Sequence, residues 1–239
     1  MHSYEIRYFS LISETWYFGL NEDKPFDKDC GRNISNPCQD FYETYQKTRK
    51  GDSIILVGDF EDQPVPLCPS TTNNDTKRVI RVEHSLEIKS HIYRIKLVCN
   101  EPRGFTITGD KTKLVFDNIR FTSNIQKKKC ALPSKGFIHV NNANLVIRRC
   151  IFSKYCAAIT SSFTNENVSY NVDVQSSVFL KNMFAISGDH LERASFNITK
   201  TLFVGTTSKD FTSYAVSLQS ADELNLTVAQ SVNFTKEFH

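Results

Sequence analysis

Much that would mark a membrane, metal or nucleotide protein is missing from this chain. No stretch of its 239 residues approaches the roughly 20 apolar residues of a membrane helix. The sequence holds no H-E-x-x-H, C-x-x-C, G-x-S-x-G, P-loop or dinucleotide glycine pattern, so zinc, esterase, kinase and Rossmann readings have no support. No two aspartates are adjacent. Net charge is only +3, from 29 Lys+Arg against 26 Asp+Glu, too little to imply nucleic acid or an anionic membrane by charge alone. The longest basic run, Lys127-Lys128-Lys129, reads as a solvated loop. Between Glu5 and Leu20 the apolar residues are interrupted by Arg7 and Glu14, so no signal-peptide core is visible.

What is present is ordinary globular chemistry, 40% hydrophobic and 23% charged, able to bury a core. Six N-x-[ST] sequons occur, at Asn33, Asn74, Asn167, Asn197, Asn225 and Asn233, while Asn36 is excluded by Pro37. With seven cysteines they predict a glycosylated extracellular or cell-surface protein, and hence one that belongs to a longer secreted chain. The alternative is a cytosolic protein whose sequons and cysteines are incidental.

Three regions are expected. Residues 1–29 are aromatic-rich without a sustained period and read as an irregular leader. Residues 30–51 carry a helix signal: Asn36 as N-cap, Pro37 at the first helical position and Gln39 completing a capping box. Phe41, Tyr45 and Thr48 form one stripe, and Lys47, Arg49, Lys50 and Gly51 suit the C-terminal end. From residue 52 to 239 the period changes from helical to two.

There an internal repeat dominates. Leu114-Val-Phe116 is followed five positions later by Phe121, Leu145-Val-Ile147 by Phe152, Val172-Asp-Val174 by Phe179, and Phe196-Asn-Ile198 by Phe203. In the fifth copy, Leu226-Thr-Val228, the aromatic Phe234 arrives one residue late. The anchors Phe116, Ile147, Val174, Ile198 and Val228 lie 31, 27, 24 and 30 residues apart. One such unit cannot bury its apolar face alone, whereas stacked units at about 4.8 Å pair every strand above and below. The helix before residue 51 stands where the open end of such a stack needs a cap.

The segment from Asn36 to Phe60, the strand Leu86-Glu-Ile-Lys-Ser90 and the five copies together resemble the pectin-lyase-like superfamily of right-handed parallel β-helices, over about Cys30 to Phe234. The resemblance implies an all-β, right-handed parallel β-helix of about six to seven coils with a short N-terminal capping helix. It leaves function open, since that superfamily includes lyases, hydrolases, adhesins and binding modules.

Catalytic signatures are scattered. A polygalacturonase-like site needs paired aspartates, Gly-His-Gly and Arg-Ile-Lys in that order. Arg94-Ile95-Lys96 precedes everything else, and Gly188-Asp189-His190 is the nearest histidine motif. Ile95 reads as a core strand residue. A calcium-dependent lyase needs converging carboxylates and an arginine. Asp117 and Asp173 occupy different registers of the repeat, with Arg148 and Arg149 nearby. Asp189 and Glu192 read as turn charges, His139 as a strand residue, and His84, His91 and His190 as turn residues.

The cysteines read as structural. Cys30 and Cys38 flank the helix start, Cys68 and Cys99 lie 31 apart, and Cys130 and Cys156 lie 26 apart, each near one coil period. Cys150 is left over. The leading functional expectation is a non-catalytic recognition or adhesion domain with an extracellular carbohydrate or protein ligand, no cofactor and no membrane insertion. Exposed Tyr155, Tyr170 or Tyr214 would serve for sugar stacking. The alternatives are a polysaccharide lyase or hydrolase with an outward-facing site, and a structural spacer.

Overall fold

A computed structural model of the protein describes residues 13–19, 27, 29–58, 65–67, 79–90, 95–99, 104–123, 136–162, 169–189, 191, 193–208, 211–212, 214–219 and 224–237. The chain winds into an all-β parallel solenoid with one short helix. Each winding gives one strand to sheet A, one to sheet B and one to sheet C. Among the described residues sheet A runs through eight strands from Thr15–Phe18 to Asn225–Ala229, sheet B through eight that include Ile95–Val98, Ile119–Thr122, Ile151–Ser153, Val178–Leu180 and Leu202–Ser208, and sheet C through six from Ile80–Val82 to Tyr214–Leu218.

The repeat read from the sequence is the register of sheet A. Phe116 pairs with Ile147, Ile147 with Val174, Val174 with Ile198 and Ile198 with Val228. Alternation sends Leu145 and Ile147 inward, both fully buried, and leaves Arg148 exposed. After each of the last five sheet A strands one residue takes the left-handed conformation: Asn118, Arg149, Ser176, Lys200 and Gln230, all with φ between 49° and 60°. That single residue turns the chain into sheet B. It explains the short polar spacer of every repeat copy.

The residue after it completes the corner. The Ser177 hydroxyl donates to the Gln175 carbonyl at 2.8 Å and accepts from the Cys150 N–H at 3.1 Å. Thr201 and Ser231 donate likewise to Thr199 and Ala229. Cys150 holds the same place one winding earlier, with its thiol 3.2 Å from the Arg148 carbonyl. Burial pushes this free thiol up to about 12. The leftover cysteine is thus a member of a hydroxyl column.

Inside sheet B the repeated aromatics stack. Phe121, Phe152, Phe179 and Phe203 follow one another at 4.9, 5.2 and 5.3 Å, nearly parallel. Each such pair adds about 0.5–1.5 kcal/mol beyond area burial. The next residue in register with Phe203 is Asn233, and Phe234 falls opposite Val204. The one-residue delay in the fifth copy therefore ends the ladder.

About four windings, between Lys113 and Leu218, carry the full plan. This is fewer than the six to seven coils expected. Earlier strands extend the same sheets through longer connections.

The helix is Phe41–Lys47, shorter than the sequence suggested, and its N-cap is Asp40 rather than Asn36. The Asp40 carboxylate accepts the Glu43 N–H at 3.0 Å. Pro37 and Gln39 lie outside the helix because Cys38 is already committed to an extended backbone. Its N–H donates to the Tyr17 carbonyl, its carbonyl accepts from Gly19, and its sulfur is bonded to Cys30. The expected stripe of Phe41, Tyr45 and Thr48 is buried. Part of the stretch read as a leader, Thr15–Phe18, forms the outermost strand of sheet A.

Cys99 and Cys156 are disulfide-bonded. Cys68 and Cys130, their expected partners, lie outside the described residues.

Candidate functional site

The outer face of sheet A offers a groove built from two neighbouring rows of outward side chains across four windings. Lys113 pairs with Asn144, the Asn171 N–H donates to the Asn144 side chain at 3.0 Å, and Asp173, Ser195 and Asn197 continue the floor. All but Val172 of the lining carry hydrogen-bonding groups. The Gln175 amide donates to Asp173 Oδ2 at 2.9 Å, while Asp173 Oδ1 is buried without a partner among the described residues. A buried carboxylate oxygen with no donor is a site of unspent hydrogen-bonding capacity.

Asp117, on the same face, is spent. Arg149 reaches back from its left-handed turn and grips the carboxylate with both Nε and Nη2, which also holds the guanidinium above its ordinary value. The expected difference in register between the two aspartates is real. Asp117 shares a row with Arg148 and Gln175, and Asp173 with Val146 and Asn197. They do not converge on one point.

A second groove separates the helix from the solenoid. His84 stacks on Tyr45, with ring centres 5.3 Å apart and planes 5° from parallel, and its Nε2 lies 3.0 Å from the Thr48 hydroxyl. The Tyr45 hydroxyl donates to the Arg81 carbonyl at 2.6 Å. Burial lowers the His84 imidazole and raises the Tyr45 phenol. These are contacts that seat the helix.

On sheet C, His139 Nε2 is 3.1 Å from the Ser162 hydroxyl, a nucleophile–base spacing. Its Nδ1 meets Thr160 at 3.0 Å, and Thr160 Oγ1 also accepts the Gly136 N–H. The orienting group is thus a structural threonine where acyl transfer uses a carboxylate. The pairing works as a polar ladder across neighbouring windings.

Other expected residues fall as follows. Ile95 is buried in a strand, as read from the sequence, and Asp189 is exposed at a strand end. Arg94, His91, His190 and Glu192 lie outside the described residues. Tyr155 and Tyr170 are each 1% exposed and cannot stack on a sugar, whereas Tyr214 is half exposed against Phe184. Asn33, Asn197 and Asn225 are exposed, Asn233 lies in the strand Val232–Glu237, and Asn74 and Asn167 are outside the described residues. No group of three or more metal-ligating side chains occurs among the described residues, and no described helix is long and apolar enough to cross a membrane.

Comparison of the chain with family models, curated proteins and solved structures finds no match to any of them.

Proposed function

We propose that this parallel solenoid is an extracellular recognition or adhesion domain of the pectin-lyase-like kind that binds carbohydrate on the outer face of sheet A. The observation that carries the reading is the groove from Lys113 to Asn197, where amide, hydroxyl, ammonium and carboxylate groups sit on rigid strands. Such a set matches the donors and acceptors of a sugar. Its backbone positions are fixed by strand pairing, so little backbone entropy is lost on binding. The exposed sequons Asn33 and Asn225, outside that lining, support a glycosylated, secreted form.

The test is a polysaccharide array probed with the full chain, read for retention and for release of unsaturated or reducing ends. Binding without turnover is expected, and Asp173→Ala should weaken it about tenfold, the worth of one charge-assisted hydrogen bond. Turnover on any glycan overturns the recognition reading in favour of a lyase or hydrolase. Retention unchanged by Asp173→Ala moves the site off sheet A.

A further inference from the structure

Sheet B turns a different surface outward, with charge of one sign. Register aligns Lys96 with Arg120, Arg120 with Ile151, Ile151 with Val178 and Val178 with Leu202, all on the side opposite the phenylalanine ladder. The left-handed turns on either edge carry further cations, Lys154 and Lys181 on one side and Arg149 and Lys200 on the other. Residues 95–99, 118–123, 149–156, 176–183 and 200–205, which make up these strands and their corners, contain no aspartate or glutamate. Arg149 is paired with Asp117. Lys96, Arg120, Lys154, Lys181 and Lys200 have no ion-pair partner among the described residues, and all but Lys96 are exposed. Sheet A by contrast sets Lys89 against Glu87 and Asp117 against Arg149.

We infer that the outer face of sheet B binds a linear anionic polysaccharide lying along the solenoid axis. Unpaired like charges repel one another, and a polyanion relieves that repulsion. The footprint is one strand wide and five strands long, roughly 20 Å at about 4.8 Å per winding, which suits a chain better than a flat membrane. Half-buried Ile151, Val178 and Leu202 supply an apolar strip against the C–H faces of sugar rings. The site shares only its ligand class with the sheet A reading and uses none of its residues.

The experiment titrates the full chain with heparin, polygalacturonate, neutral dextran and phosphatidylserine vesicles, at low and high salt. Heparin and polygalacturonate separate sulfate from carboxylate as the anion. Binding to at least one polyanion is expected, about tenfold or more weaker at high salt and absent with dextran. Replacing Lys96, Arg120, Lys154 and Lys181 together by Gln should weaken it a further tenfold or so. Replacing Lys50, Arg81, Lys111 and Arg148 by Gln removes the same charge from other surfaces and should change affinity less than about threefold. Circular dichroism confirms that both variants fold. Asp173→Ala should leave polyanion binding intact, so the two sites fail independently. Equal loss in the two quadruple variants, binding to neither polyanion, or binding to vesicles alone overturns the inference.

Discussion

The two ends of the solenoid show the same inner column finished in opposite ways. It runs from Trp16 through Ile54, Ile88, Phe116 and Ile198 to Val228. Trp16 is 5% exposed and Val228 52%. The neighbouring column ends on Leu226, 47% exposed, although its counterpart Phe196 one winding earlier is fully buried. At the Trp16 end the helix, the Cys30–Cys38 loop and a buried aspartate cover the core. Arg32 lies 4.0 Å over the Trp16 ring, and Phe41 packs edge-on against Phe18 at 5.1 Å. The difference teaches that a stacked repeat supplies its own cover everywhere except at its ends, where non-repeating sequence must do it.

Breaking the covered end should have the largest effect. Phe18→Ala removes a 1%-exposed ring that joins the helix to sheet A, and we expect a loss of about 3–5 kcal/mol in denaturant unfolding. Leu226→Ala, in an inward register but already half in water, should cost less than about 1 kcal/mol. Equal costs for the two would show that the Val228 end is covered in solution.

Asp52 sharpens the contrast at intermediate size. It sits one residue before the Ser53–Glu87 pair, 2% exposed, and accepts from the Glu14 N–H at 2.7 Å, the Arg49 N–H at 2.8 Å and the Trp16 indole at 3.3 Å. Asp52→Ala strands those donors and should cost about 2–3 kcal/mol, with Asp52→Asn costing less because one oxygen remains. Hydrogen exchange at Trp16 and Ile54 should quicken in Asp52→Ala while exchange at Ile198 stays unchanged. Uniform quickening along the whole stack would instead mean that the ends unfold together.

Legibility divides along the same line. The interior could be read because each repeat copy restates one register and one corner, so Leu145, Ile147 and Phe152 predict the environment of Val172, Val174 and Phe179. The covered end occurs once. There the helix signal at Asn36 and Pro37 lost to the disulfide and strand pairing of Cys38, a tertiary constraint that local propensity does not contain. Both proposed binding surfaces were illegible for a different reason. Lys154 and Lys181, or Asn144 and Asn171, are 27 residues apart in the chain and become neighbours only through register. The sequence did show that Asp117 and Asp173 fall out of step, because that follows from alternation within a single copy.

The smallest expected effect is a pH dependence confined to the covered end. His84 faces Tyr45 and Thr48 on the helix, with Asp52 and Glu83 close enough to favour its cation. Desolvation outweighs those charges and lowers the imidazole below its ordinary value of 6.5. The folded state therefore prefers neutral His84. Its contribution is fully present above the unfolded value and is lost as pH falls through the lower folded one. As pH falls below the ordinary histidine value the helix should loosen, read as faster exchange at Tyr45 and Thr48 and a modest fall in the denaturation midpoint. His84→Gln keeps a group able to hydrogen-bond Thr48 and cannot titrate, so it should flatten that dependence while leaving Val228 exchange untouched. A slope that survives His84→Gln would show that His84 does not carry the acid sensitivity of this end.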